Sequence, residues 1–323
     1  MNGVKDTLVG IRDKVKKPGL KNRSSYYRQT KSGQKERFMR CRQRFPELIS
    51  SLSQHDISRY VNPNWTGFSS ELQKALLPYP DSAFLRNKII MDTMFVSAGG
   101  NWLEEELQFL DRKLSRDVLK AVLVEDWVGD PVLMNREYNS SHNSIHTLYH
   151  LAKYVDSTKN DLHKINSVVE WGGGYGCMTK TLRRFVSGPL THVIIDLPMM
   201  SSIQWLYLSS ILGEENVNLI LGKDQQVKPG MTNLLPVCFI DDFDIRGDLF
   251  ISTWALSESA EYAQDYVAKR KWFDSKHLLL AFQSGQEMFP GAAKVGALAT
   301  ASGAKTERIP FIGVGYDNYY AFL

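Results

Sequence analysis

Cysteine is scarce in this chain. Its 323 residues hold three, Cys41, Cys177 and Cys238, and no two form a C-x-x-C pair. That excludes a disulfide framework and a cysteine-built zinc site, and a reducing, cytoplasmic setting is expected. Long apolar runs are missing as well. No stretch approaches the length of a membrane span, and the basic N-terminus lacks the continuous apolar segment of a secretory signal. Aromatics are sparse where the chain is most basic: Tyr26, Tyr27, Phe38 and Phe45 stand among the first 45 residues. That is too few for a platform on which nucleic-acid bases stack.

What is present is an ordinary globular composition, 43% hydrophobic and 23% charged. The length suffices for one large or two modest domains. Net charge is +4 but unevenly spread, since residues 1–45 carry 14 Lys/Arg against 3 Asp/Glu. Such an arm suits an anionic membrane surface or another polyanion. Its plainer reading is a solvated, partly flexible terminus. Residues 1–60 therefore read as a basic arm, with a polar helix broken near Pro46. Residues 61–150 read as an α-helical region, with breaks at 97–100 and caps at Asn101 and Ser115. A helix over 141–156, capped by Ser140 or Ser141, leads into residues 151–323, where short apolar runs alternate with helices.

The expected strands are 168–171, 192–196, 217–221, 237–240, 249–252 and 278–282. Helical patterns lie between them at 177–186, 199–212 and 260–270, with another at 288–300. This alternation predicts a doubly wound, mostly parallel α/β sheet. Two last strands, 306–311 and 316–323, joined through Gly313-Val314-Gly315, predict a terminal hairpin and hence a reversed final strand.

The organising stretch is Glu170-Trp171-Gly172-Gly173-Gly174-Tyr175-Gly176, a strand end running through a glycine turn into a helix. A dinucleotide fingerprint from Gly172 would need glycine where Cys177 stands. The E-x-G-x-G-x-G spacing of Glu170, Gly172, Gly174 and Gly176 instead resembles motif I of class I S-adenosylmethionine (SAM) methyltransferases. Glycines there let the backbone pass against a cofactor. Asp196 ends the second strand about 20 residues on, where a carboxylate binds a ribose diol; its plainer role is a helix cap. Asp241 or Asp242 is placed to meet the adenine, or else stands in a solvated acidic loop. Clustered aspartates also suit Mg2+, but no second carboxylate pair follows a later strand, and no metal is assigned. Ser252, which ends the next strand, and Trp254, Ser257 and Glu258 after it are expected to border the acceptor, with Ser252 also assigned to the cofactor. Glu258 either orients and deprotonates a hydroxyl or caps a helix. His142, His146 and His150 fall near one helix face. One of them can act as general base, with His142 and His146 preferred, against a purely structural role.

Glu170-Trp171-Gly172-Gly173-Gly174-Tyr175-Gly176, Ile195-Asp196-Leu197-Pro198, Ser252-Thr253-Trp254-Ala255-Leu256-Ser257-Glu258 and Asn318-Tyr319-Tyr320 together resemble a bacterial sugar O-methyltransferase family. The resemblance covers roughly residues 125–323. It implies a Rossmann-like class I methyltransferase sheet, SAM as cofactor, and transfer of a methyl group to a sugar hydroxyl in surface-polysaccharide or glycoside biosynthesis. The implied acceptor is a sugar, a nucleotide sugar or a glycolipid, and the helical region would cover the acceptor side. The basic arm would then hold the protein peripherally at the inner membrane face. Two other readings stay open, a non-catalytic SAM-fold scaffold of a glycan-assembly complex and a nucleic-acid methyltransferase using the arm. Against the latter, Ser252-Thr253-Trp254-Ala255 replaces the Asn/Asp-Pro-Pro-Tyr/Phe motif of amino-methylating enzymes.

Overall fold

The structure is a computed structural model that describes residues 32–96, 102–285, 287–312 and 316–323. Most of the basic arm, the expected break at 97–100, the expected cap Asn101 and the 313–315 link lie outside those residues. Among the described residues, five α-helices precede the bridging one. They are α1 (Ser32–Leu52), α2 (Pro63–Leu76), α3 (Lys88–Met94), α4 (Trp102–Lys113) and α5 (Arg116–Leu123), followed by α6 (His142–Thr158). Several starts are set locally. The Asn62 side chain accepts from Asn64 N–H with Pro63 in the first turn, and Asn87, Ser115 and Ser141 cap α3, α5 and α6 in the same way.

Beyond α6 the chain alternates: β1 (Ser167–Trp171), α7 (Cys177–Phe185), β2 (Thr191–Asp196), α8 (Pro198–Leu212), β3 (Val217–Leu219), β4 (Thr232–Pro236), β5 (Leu249–Thr253), α9 (Ala255–Glu258), α10 (Glu261–Lys269), β6 (His277–Gln283), α11 (Lys294–Ala301), β7 (Lys305–Arg308) and β8 (Asn318–Phe322). The strands form one eight-stranded sheet in the order β3-β4-β2-β1-β5-β6-β8-β7. All pairings from β3 to β6 are parallel, while β8 runs antiparallel between β6 and β7. The expected doubly wound sheet with a reversed terminal strand is thus the observed one. β1 pairs with both β2 and β5. Chain order reverses there, and such a switch point opens a crevice at the carboxyl ends of the strands.

Two elements differ from expectation. Residues 237–240 are not a strand but part of a 3-10 turn, Val237–Asp242. The strand lies just before it at Thr232–Pro236, where Pro236 has no N–H to extend the ladder. Only two large aliphatics, Leu234 and Leu235, mark that strand, because Asn233 is buried and spends its amide on Lys228, Met231 and Asn218. The second difference is α1, which runs through Pro46. An interior proline costs about 3 kcal/mol. Phe38, Cys41, Phe45, Leu48, Ile49 and Leu52 recur every three or four residues and are all buried, in one cluster with the apolar residues of α8. At about 1.5–3 kcal/mol for each large apolar side chain, that stripe outweighs the proline.

Candidate active site

A cavity of about 380 Å³ opens at the carboxyl ends of β1, β2 and β5 and is roofed by the N-terminal helices and α6. The glycine turn forms its floor. Gly172 has φ +78°, and a Cβ there would lie 2.0 Å from the Ala255 Cβ, so β1 and α9 can approach this closely only without a side chain. Gly174 has φ +56° and would meet nothing within 4 Å, so its backbone faces open space. Gly176, which ends the turn, is packed under Leu208.

Two carboxylates stand beside this turn. Asp196 lines the cavity from the end of β2. Its Oδ2 accepts from Gly173 N–H (2.9 Å) and Gln204 Nε2 (2.6 Å), and its Oδ1 from Leu197 N–H (2.8 Å). It thereby ties the turn to α8. Burial, aided by the Glu170 charge and opposed by these bonds, pushes its carboxyl up to about 7. Glu170 also lines the cavity, and its Oε2 lies 2.9 Å from the buried His192 Nε2, close enough for an ion pair though not aligned as a hydrogen bond.

On the far side Glu258 lines the cavity at the end of α9. Burial raises its carboxyl to about 7, against the Trp65 side chain that bonds to it. Gln283 Nε2 donates to its Oε1 at 3.4 Å. Trp254 precedes α9 with φ 74° and ψ −44°. That strained turn costs a residue with a Cβ about 1–3 kcal/mol and is typical of functional positions. Its indole stacks on the His146 ring at 6.1 Å, and its Nε1–H donates to His146 Nε2 at 3.3 Å. His146 Nδ1 meets Glu106 Oε1 at 2.5 Å. Burial alone would raise the Glu106 carboxyl, but His146 and His142 beside it hold it below its ordinary value.

The expected site residues therefore separate. Glu170, Gly172, Gly174, Asp196, His146 and Glu258 all border the one cavity. Ser252 does not line it. It is buried, donates to the Trp171 carbonyl (2.9 Å) and accepts from Leu256 N–H (3.1 Å), joining β1 to the start of α9. Asp241 and Asp242 are exposed and do not line it either. Asp241 binds Arg59 and the Tyr60 hydroxyl, because the 3-10 turn after Pro236 directs it to the outer face. His142 is buried behind the cavity wall, with Nε2 3.4 Å from Glu106 Oε2. His146 has both ring nitrogens engaged, which leaves it no free lone pair. Spacing alone did not single out Glu106, Trp65 or Gln283, since each meets its partner only through the fold.

A buried ion pair fixes the frame. Lys180 Nζ on α7 donates to Glu125 Oε2 (2.8 Å) and Ser144 Oγ (2.6 Å), and both charged side chains are fully buried. Glu125 Oε1 accepts from the Ser141 and Ser144 hydroxyls. The network clamps the start of α6 to the helix that follows the glycine turn.

No protein-family model matches this chain, and no curated protein does. Among solved structures it is similar to an O-methyltransferase from Bacillus cereus in complex with S-adenosylhomocysteine (SAH), at 13% identity over 73% of this chain and 94% of that one, TM-score 0.37. It is also similar to magnesium protoporphyrin IX methyltransferase from Synechocystis with bound SAH, at 12% identity over 55% and 82%, TM-score 0.37. A third is an O-methyltransferase from neocarzinostatin biosynthesis, at 16% identity, TM-score 0.35, where 56% of each chain is covered. At such low overlap, what the cavity can hold follows from its own residues.

Proposed function

We propose that this protein is a SAM-dependent O-methyltransferase whose acceptor is a sugar hydroxyl. The observation that carries this reading is that one cavity brings together the glycine turn, Asp196 and Glu258. The residues fit the cofactor: Gly174 leaves open space, and Asp196 and Glu170 offer carboxylate oxygens at the strand ends where a ribose diol and a cationic group are held. When bound, SAM supplies an electrophilic methyl group for in-line displacement by the acceptor oxygen. The chain's own part is to orient and to accept a proton. Glu258, with its carboxyl near 7, is tuned to take the hydroxyl proton on a carboxylate oxygen at neutral pH. Trp65 and Gln283 hold that carboxyl in place.

Trp65, Trp102 and Trp254 line the same cavity beside the amides of Asn62, Gln283 and Asn318. Flat apolar faces with polar edges suit a ring that carries several hydroxyls. A role in surface-polysaccharide or glycoside biosynthesis, and docking of the basic arm on an anionic membrane face, extend this reading. Calorimetry with SAM and SAH, followed by mass spectrometry of glycosides incubated with SAM, tests it. Absence of SAM binding overturns the cofactor assignment. SAM binding with methylation of non-sugar hydroxyls alone overturns the acceptor class.

A further inference from the structure

His150 carries an uncommitted polar group at the cavity, as do Glu170 and Tyr175, and it is the one of the three on α6. The residue is 1% exposed, lines the cavity from α6, and its Nε2 has no hydrogen-bond partner among the described protein atoms. An imidazole nitrogen left bare in the interior costs about 1–3 kcal/mol unless something else satisfies it. The opposite edge of the ring is occupied, since Nδ1 lies 2.7 Å from the Tyr320 hydroxyl on β8. Among the described residues that hydroxyl has the imidazole as its one hydrogen-bond partner. Tyr320 stays a neutral phenol, because burial pushes it well above its ordinary value. A phenol whose partner is a ring nitrogen satisfies itself by donating. Nδ1 then accepts, and the ring proton sits on Nε2.

We infer that His150 is a substrate-contacting residue whose Nε2–H donates a hydrogen bond to an oxygen of the acceptor. The inference rests on the hydroxyl-methylating reading of the cavity and adds a division of labour to it. Glu258 takes the proton, while His150 orients the sugar. Its surroundings keep it a neutral donor: burial and the neighbouring His146, itself paired with Glu106, hold it well below its ordinary value. From β8 the group facing it is the uncharged Tyr320, and from the turn between β5 and α9 the Trp254 ring lies 6.0 Å away. His146, by contrast, already spends Nε2 on Trp254 and cannot serve the acceptor in this arrangement.

Two measurements on the full-length protein test this. Nitrogen-15 spectra of the histidine rings, assigned with a His150→Gln variant, should show His150 neutral from about pH 6 to 8 with its proton on Nε2. A proton on Nδ1, or titration within that range, overturns the assignment without any acceptor being known. Methyl transfer from labelled SAM is then followed against a panel of methyl glycosides and nucleotide sugars. For a panel member that is methylated, His150→Leu should raise KM about tenfold, the loss of one buried hydrogen bond. SAM affinity and the pH midpoint set by Glu258 should not move. His150→Gln, which keeps an N–H near the Nε2 position, should recover part of the loss. An unchanged KM in His150→Leu, or loss of kcat together with the pH limb, overturns the inference. If SAM binds but no sugar is methylated, the sugar reading fails and the ring spectra still decide His150. If SAM does not bind, the functional reading falls and this inference with it.

Discussion

At the scale of single residues, two buried carboxyls carry the pH dependence expected of the site. Asp196 has its carboxyl pushed up to about 7 by burial, whereas ribose hydroxyls donate best to its ionised form. SAM affinity should therefore rise as pH increases through about 7. Calorimetry at both ends of that range checks this, and in Asp196→Asn affinity should fall by about 2–4 kcal/mol and lose its pH dependence. Glu258 is tested from two directions. Glu258→Gln should lower kcat by about 10²–10³ and remove the limb near 7 from the pH profile. The stability effect has the opposite sign. Because the folded carboxyl holds its proton more tightly than the ordinary value of 4.5 allows, its stabilising contribution is full below that value and is lost as pH rises through about 7. The glutamine variant should thus gain melting temperature relative to the wild type between about pH 5 and 8. A constant difference between the two proteins would refute the raised carboxyl.

At the scale of elements, the junctions of helices with strand ends hold the site open. Lys180 and Glu125 are fully buried and, among the described residues, satisfied only by each other and two serines. Lys180→Met leaves an uncompensated interior carboxylate and should cost about 3–5 kcal/mol in chemical denaturation. Adding Glu125→Leu should restore part of that, since removing both charges removes the desolvation cost. The turn before α7 gives a second test. Gly172→Ala places a methyl group against Ala255 at a positive φ and should abolish SAM binding. Ala255→Gly on top of it should relieve the clash but not the backbone strain, so recovery should be partial. The elements most legible in the sequence are those whose signals are local. β1, the glycine turn, α7 and β2 fall within 30 consecutive residues, and period, turn chemistry and the closing Asp196 point the same way. The strand at Thr232–Pro236 was illegible because its polar positions are satisfied by side-chain bonds rather than by exposure.

At the scale of the whole molecule, every described residue bordering the cavity lies at or beyond Tyr60. Deleting residues 1–31 should therefore leave SAM affinity unchanged. If the arm is the membrane contact, the same deletion should abolish pelleting with vesicles rich in anionic lipid at low salt. Pelleting that survives the deletion counts against the arm. No helix among the described residues is long and apolar enough to cross a membrane.

The sequence by itself determined the alternation of strands and helices, the glycine turn, Asp196 and the reversed end of the sheet, because each is written within a few residues of itself. Only the tertiary structure decided which polar groups share the cavity. His146 lies 40 residues from Glu106 and 108 from Trp254, and Lys180 lies 55 from Glu125. Spacing on one helix could place three histidines on one face, but it could not tell that His142 is walled off, that His146 is spent on its neighbours and that His150 is left with a nitrogen to offer. Those outcomes depend on which side chains pack against each ring, and packing partners are set by the fold rather than by neighbours in the chain.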